Sequence, residues 1–138
     1  MVKIIAIPPQ EVPGIFPHII DLIIQGMEYS HGEFDIDDLY KQLLTMQTVL
    51  WTVVTDKYEI EAFAITDVLE YPKKKVVRIL LLAGKNMDSW KQEFSDAMVH
   101  WGAKIGASGI EVIGRKGWER SLEKLGYKFM NTILLKEI

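Results

Sequence analysis

From Val76 to Tyr127 the chain reads as apolar strand, long amphipathic helix, short strand, short helix and a glycine–aromatic stop. No other stretch restricts the fold as much. Val76 to Leu82 is an apolar run interrupted only by Arg78, the pattern of a strand covered on both faces. Trp90, Phe94, Ala97, Met98, Trp101 and Ile105 then recur on one stripe of a 3.6-residue period. Asp88 or Ser89 is placed to cap that helix, and Gly106 to end it. Ile110 to Ile113 is a short strand. After Gly114 comes a short helix with Trp118, Leu122 and Leu125 inward, ended by Gly126. Two strands joined through a long helix form a right-handed crossover, so the unit belongs to a layered α/β domain.

The rest of the chain supplies an antiparallel half. Val2 to Ile7 is apolar and rich in β-branched residues, and Pro8-Pro9 stops it as a first strand. Ile15, Phe16, Ile19, Ile20, Ile23, Ile24 and Met27 mark a helix, with Pro17 expected in its first turn. Asp35 is placed to cap a second helix carrying Ile36, Leu39, Leu43 and Leu44. Thr48–Thr55 and Tyr58–Leu69 flank Asp56-Lys57 as a hairpin, and Pro72 with Lys73, Lys74 and Lys75 turns the chain again. Tyr127 to Lys136 reads as a last strand. The expected order is β-α-α-β-β-β-α-β-α-β, a mixed sheet with helices on both faces, in one domain spanning residues 1–138.

Composition narrows the function classes. At 138 residues, 49% hydrophobic and 25% charged, the chain has the balance of one globular core. Its net charge of −3 argues against a dedicated nucleic-acid binder. The basic run at Lys73–Lys75 reads as a solvated hairpin tip. There are no cysteines, so disulfides and thiolate chemistry are excluded, and a reducing cytoplasm is the expected compartment. No apolar run approaches the ~20 residues needed to cross a bilayer. His18, His31 and His100 lack metal-ligand spacing, and Asp35, Asp37 and Asp38 lack the spacing of a calcium loop, so no metal is expected.

The element order, together with Trp118–Tyr127 and its Glu-Lys-Leu-Gly-aromatic ending, resembles the GNAT superfamily of acyl-CoA-dependent N-acetyltransferases. The resemblance is one of fold and covers nearly the whole chain. It implies acetyl-CoA as cofactor and an amine acceptor that the sequence does not identify. The family binds pyrophosphate at the start of its long helix, where unpaired N–H groups and the helix dipole favour an anion. With Gly106 as the family's glycine after that helix, the pattern falls on Asn86-Met-Asp-Ser89-Trp-Lys91, which carries neither expected glycine. The alternatives are a phosphate site built on Gly84, Lys85, Asn86, Ser89 and Lys91, or an ordinary capped helix start. The family's general-acid tyrosine falls on Leu122, and its polar residue after the fifth strand on Gly114-Arg115. The family also splays its fourth and fifth strands around the pantetheine arm, a task for the main chain of Leu81, Leu82 and Ala83.

Glu28, His31 and Glu33 lie in the loop that shapes the acceptor side in that family. They form the best local acid–base group, with a plain polar loop as the alternative. Arg115, Lys116 and Arg120 form a small basic group, read as a solvated face or an anion contact. Two functions follow. One is an N-acetyltransferase with a rebuilt phosphate loop. The other is a non-catalytic GNAT-like binding or structural module, in a cytoplasmic or a virion-associated setting, since small chains of this kind also resemble ones encoded by tailed bacteriophages. Ending after one C-terminal strand leaves the acceptor side open or completed by another chain, so a homo-oligomer or a protein partner is a further expectation.

Overall fold

The computed structural model describes residues 1–114 and 117–138. β1 (Val2–Ile7) leads through a short 3-10 turn (Pro9–Glu11) into α1 (Val12–Met27) and α2 (Ile36–Leu44). Three strands follow: β2 (Val49–Thr55), β3 (Ile60–Tyr71) and β4 (Lys74–Gly84). Then come α3 (Met87–Lys104), β5 (Gly109–Val112) and α4 (Gly117–Glu123). The sheet has five strands in the order β1-β2-β3-β4-β5. The first four pair antiparallel, and β5 joins β4 in parallel through the α3 crossover.

Side-chain alternation along the strands builds a core on each face. On one face, Phe63, Ile65, Leu81 and Ala83 meet Phe16, Ile19 and Ile23 of α1 and Leu39 and Leu43 of α2. On the other, Trp51, Ala62, Ala64, Val77, Ile79 and Leu82 meet Trp90, Phe94 and Met98 of α3. The expected stripe of α3 is therefore its buried stripe, and Trp51 and Trp101 close it with an edge-on contact at 5.3 Å. The helices lie on both faces as expected.

Helix ends follow local chemistry, with two corrections. Asp35 and Asp38 form a reciprocal capping box: Asp38 N–H donates to Asp35 at 2.8 Å and Asp35 N–H to Asp38 at 3.0 Å. Gly106, at φ +80°, ends α3 in a Schellman turn. There Gly106 N–H donates to the Ala103 carbonyl and Ala107 N–H to that of Gly102. Neither Asp88 nor Ser89 caps the start of α3. Asn86 holds that position in the left-handed region (φ 56°) without a side-chain cap bond. Pro17 lies inside α1 rather than in its first turn, because the 3-10 turn and Pro13 start the helix earlier than Ile15.

The strand expected at Tyr127–Lys136 does not form; beyond Tyr127 the chain has no regular secondary structure, is exposed, and has no backbone pairing among the described residues. The hairpin turns at Pro72-Lys73 only, because Lys74 and Lys75 already pair with Tyr71 and Glu70 of β3, and Lys75 does more than face solvent. Its ammonium donates to the Ile105 carbonyl at the C-terminus of α3 (3.1 Å) and lies 3.5 Å from Glu70. Among the described residues, no helix is long and apolar enough to cross a membrane, and no group of His, Cys, Asp and Glu is arranged to hold a metal.

Candidate functional site: a cleft between diverging strands

β4 and β5 part company at a β-bulge. Ile65 of β3 pairs with Leu81 and Thr66 with Ile79, so Leu80 is an extra residue on β4. Pairing with β5 ends at the same place, on Ile79–Val112 and the Ile113 N–H to Ile79 carbonyl bond. Residues 80–84 therefore continue with no strand on the β5 side among the described residues. A bulge bends its strand and disrupts the ladder locally, which is why such sites recur beside active centres. The sequence reading found Leu81, Leu82 and Ala83 on this edge but missed Leu80, since no apolar pattern distinguishes a bulged residue from a paired one.

The space between the diverging strands is occupied by side chains. Ile79, Leu82, Trp90, Phe94, Leu122 and Tyr127 surround a void of only about 10 Å³, room for one water at most. Leu122 is buried here, as its place on the inward stripe predicts. Tyr127, the aromatic of the Glu-Lys-Leu-Gly-aromatic ending, has no site role in the sequence reading. Its hydroxyl lies 2.9 Å from Ser95 Oγ on α3. Burial pushes the Tyr127 phenol above the usual tyrosine value, and the Ser95 hydrogen bond pulls partly the other way.

At the start of α3 lies a depression of about 590 Å³, wide open to solvent, lined by Glu61, Asn86, Met87, Asp88, Ser89 and Ser121. The first N–H groups of a helix are a ready anion site. Here, however, the polar groups serve one another. Asn86 Nδ2 donates to Glu61 (3.1 Å), and Ser89 Oγ donates back to the Asn86 carbonyl (2.7 Å). Lys91 sits 3.0 Å from Asp88 and donates to the Ser121 carbonyl at 3.3 Å, which ties α3 to α4. Lys85 has an exposed side chain, its N–H donates to Glu61 O (2.9 Å), and its carbonyl accepts from Trp90 Nε1 (2.7 Å). Gly84 is not a bare cradle: a Cβ there would lie 2.3 Å from Ala62 Cβ and 2.5 Å from Glu61 O, so its open side is taken by β3.

Glu28, His31 and Glu33 occupy the loop after α1, all exposed. The Glu33 carboxylate accepts from the His31 backbone N–H rather than from the ring. The loop nevertheless starts near the cleft, because Gly26, one turn earlier, packs closely on Ala83 and Phe63. Arg115 and Lys116, read from sequence as part of a basic group, lie outside the described residues, whereas Arg120 is on the exposed side of α4. His18 and His100 are exposed and apart from the cleft residues.

No protein-family model matches the chain, and no curated protein matches it by sequence. Solved structures match it in fold over its whole length. An aminoglycoside acetyltransferase from an uncultured soil metagenomic sample has a TM-score of 0.71 at 17% identity, covering 99% of this chain and 96% of that one. Glucosamine-6-phosphate N-acetyltransferase from Arabidopsis thaliana scores 0.70 at 12% identity, with 99% and 98% covered. A predicted acetyltransferase from Clostridium acetobutylicum, solved with acetyl-CoA, scores 0.71 at 14% identity, with 99% and 96% covered. The fold of this chain is the GNAT fold of these acetyltransferases.

Proposed function

We propose that this protein is an acyl-CoA-dependent N-acyltransferase that takes its donor along the free edge of β4. The observation that carries the reading is the parting of β4 and β5 at the Leu80 bulge. The main chain of Leu80, Leu81, Leu82 and Ala83, with no strand beside it on the β5 side among the described residues, is of the right kind to pair with the amides of a pantetheine arm, as an added strand would. Bound there, the thioester would supply an activated acyl group to an amine. The amine is expected from the side of the Glu28–Glu33 loop, whose acid–base groups are Glu28, His31 and Glu33. Tyr127 lines the cleft with a hydroxyl, as do Ser95 with a hydroxyl and Lys91 with an ammonium, whereas Leu122 brings no proton-bearing group. The main chain suits the arm of such a donor better than the start of α3 suits its pyrophosphate. Asp88 and Glu61 bring two carboxylates to that helix end, and Lys91 is engaged with Asp88 and Ser121.

That mismatch, with the cleft closed by Leu122 and Tyr127, favours a second reading: a GNAT-fold binding or structural module that performs no transfer. Titration with acetyl-CoA separates them. An acyltransferase at a hundred times its dissociation constant should gain about 2.7 kcal/mol in thermal stability and release free thiol when offered small primary amines. Binding without thiol release supports the module. No shift at millimolar acetyl-CoA removes the acyltransferase reading.

A further inference from the structure

A row of charged side chains crosses the sheet where the cleft closes. Asp67 of β3, Arg78 of β4 and Glu111 of β5 are partners in register, one rung before Ile79–Val112, where β4 and β5 stop pairing. Val77, Ile79, Ile110 and Val112 face α3, so strand alternation turns Arg78 and Glu111 to the opposite face, the one that carries α1. Arg78 donates from Nε and Nη2 to the two oxygens of Asp67, at 3.0 and 2.6 Å. A guanidinium has five N–H donors. Those on the Nη1 edge of Arg78 have no partner among the described residues, although the Arg78 and Asp67 side chains are only 26% and 18% accessible. Glu111 is half-buried on the next strand and makes no hydrogen bond or ion pair among the described residues. Its charge nevertheless adds to the Asp67 hydrogen bond in raising the pKa of Arg78. An arginine tied along one edge to an aspartate keeps a second edge for another carboxylate.

We propose that the acceptor is an amine that also carries a carboxylate, an amino acid by its chemistry, held with its carboxylate on the free edge of Arg78 and its amino group on Glu111. This rests on the acyltransferase reading and names the substrate class for that site. The shape of the cleft brings the acceptor here. β4 and β5 are joined at Ile79–Val112 and apart beyond it, so the bulky nucleotide of a donor has room only at the open end, beside Gly84. An arm laid along residues 80–83 then brings its thioester end to Leu80, next but one to Arg78. On the α3 side the gap is filled by Leu122, Tyr127 and their neighbours, which leave about 10 Å³. The amine therefore reaches the thioester from the Arg78 face. A simple amine there would meet Glu111 beside an unmatched cation, whereas a zwitterion matches both charges. Neighbouring strands lie about 4.8 Å apart, which suits an amino and a carboxylate group on one carbon. Asp67 acts through Arg78, as a positioning residue that fixes the guanidinium plane. In the transfer, one ammonium proton passes to Glu111 and on to solvent. The freed nitrogen then forms the C–N bond as the C–S bond breaks, and one of its two remaining protons ends on the departing sulfur.

The test uses the full chain, with acetyl-CoA as donor and thiol release as the readout. A panel of L-amino acids is offered, each beside its own amide, which lacks only the carboxylate, at equal concentrations of free amine. At least one amino acid is expected to exceed its amide about tenfold or more in kcat/KM, as for a charged bidentate contact. Arg78→Lys keeps the charge but loses the second edge, and should erase that advantage through KM rather than kcat. Glu111→Gln should slow amino acid and amide alike. Circular dichroism checks that both variants are folded. Transfer to amides as fast as to amino acids overturns the inference while the acyltransferase reading stands. So does a preference that survives both substitutions. Transfer to neither class removes the acyltransferase reading and this inference with it.

Discussion

Tyr127 shows how one side chain acquires a role from its surroundings. Its hydroxyl faces Ser95 across the closed cleft, and burial holds its phenol proton more tightly than the ordinary value of 10.0. The sign of the pH dependence follows. The folded state keeps a proton that the unfolded chain releases, so the stabilisation is complete below about pH 10 and is lost as pH rises through the folded value. Ultraviolet titration should show one phenol ionising above the ordinary tyrosine value, and Tyr127→Phe should remove that component. Ionisation of all tyrosines together would mean that the hydroxyl is not buried. If the protein transfers acyl groups, the same substitution should lower turnover while leaving acetyl-CoA affinity unchanged, because the residue borders the cleft without forming the β4 edge. Arg78 illustrates the structural counterpart. It makes a bidentate pair with Asp67 at 3.0 and 2.6 Å, and that hydrogen bonding holds its pKa above the usual guanidinium value. The pair lets a charge sit within an apolar strand.

At the scale of elements, the β3–β4 hairpin decides where the cleft opens. The Leu80 bulge places Leu80 and Leu81 toward the same core and shifts the edge that β5 would otherwise follow. Gly84 ends the strand where β3 comes so close that no Cβ fits. Gly84→Ala is expected to destabilise by about 2 kcal/mol, because the atoms met belong to backbone and to an alanine that cannot move aside. A midpoint shift in urea with an unchanged slope would report it. A change within error would mean that the strands separate more readily than this packing implies. The helix termini carry less strain. The glycine at Gly106 and the similar turn at Gly126, where Gly126 and Tyr127 N–H groups reach back to Glu123 and Leu122, stop α3 and α4 by the same local geometry.

For the molecule as a whole, much of the architecture is legible in the amino acids. The stripe Trp90–Phe94–Met98, the alternation of Phe63 and Ile65 against Ala62 and Ala64, the Asp35 cap and the Gly106 stop all act through neighbours a few residues away. Their outcome is set by helical and strand periodicity and by local hydrogen bonding, so the sequence alone determined the elements from β1 to α4, their order and their buried faces. What it left open involves groups distant in the chain. The bulge at Leu80 exists only as a register against β3. Lys91 reaches the Ser121 carbonyl only because α4 comes beside α3. Tyr127 meets Ser95 across 32 positions. The segment after Tyr127 has strand propensity, but propensity does not supply an edge. Pairing needs a second backbone at hydrogen-bond distance, and only the tertiary arrangement decided that the described residues do not provide one.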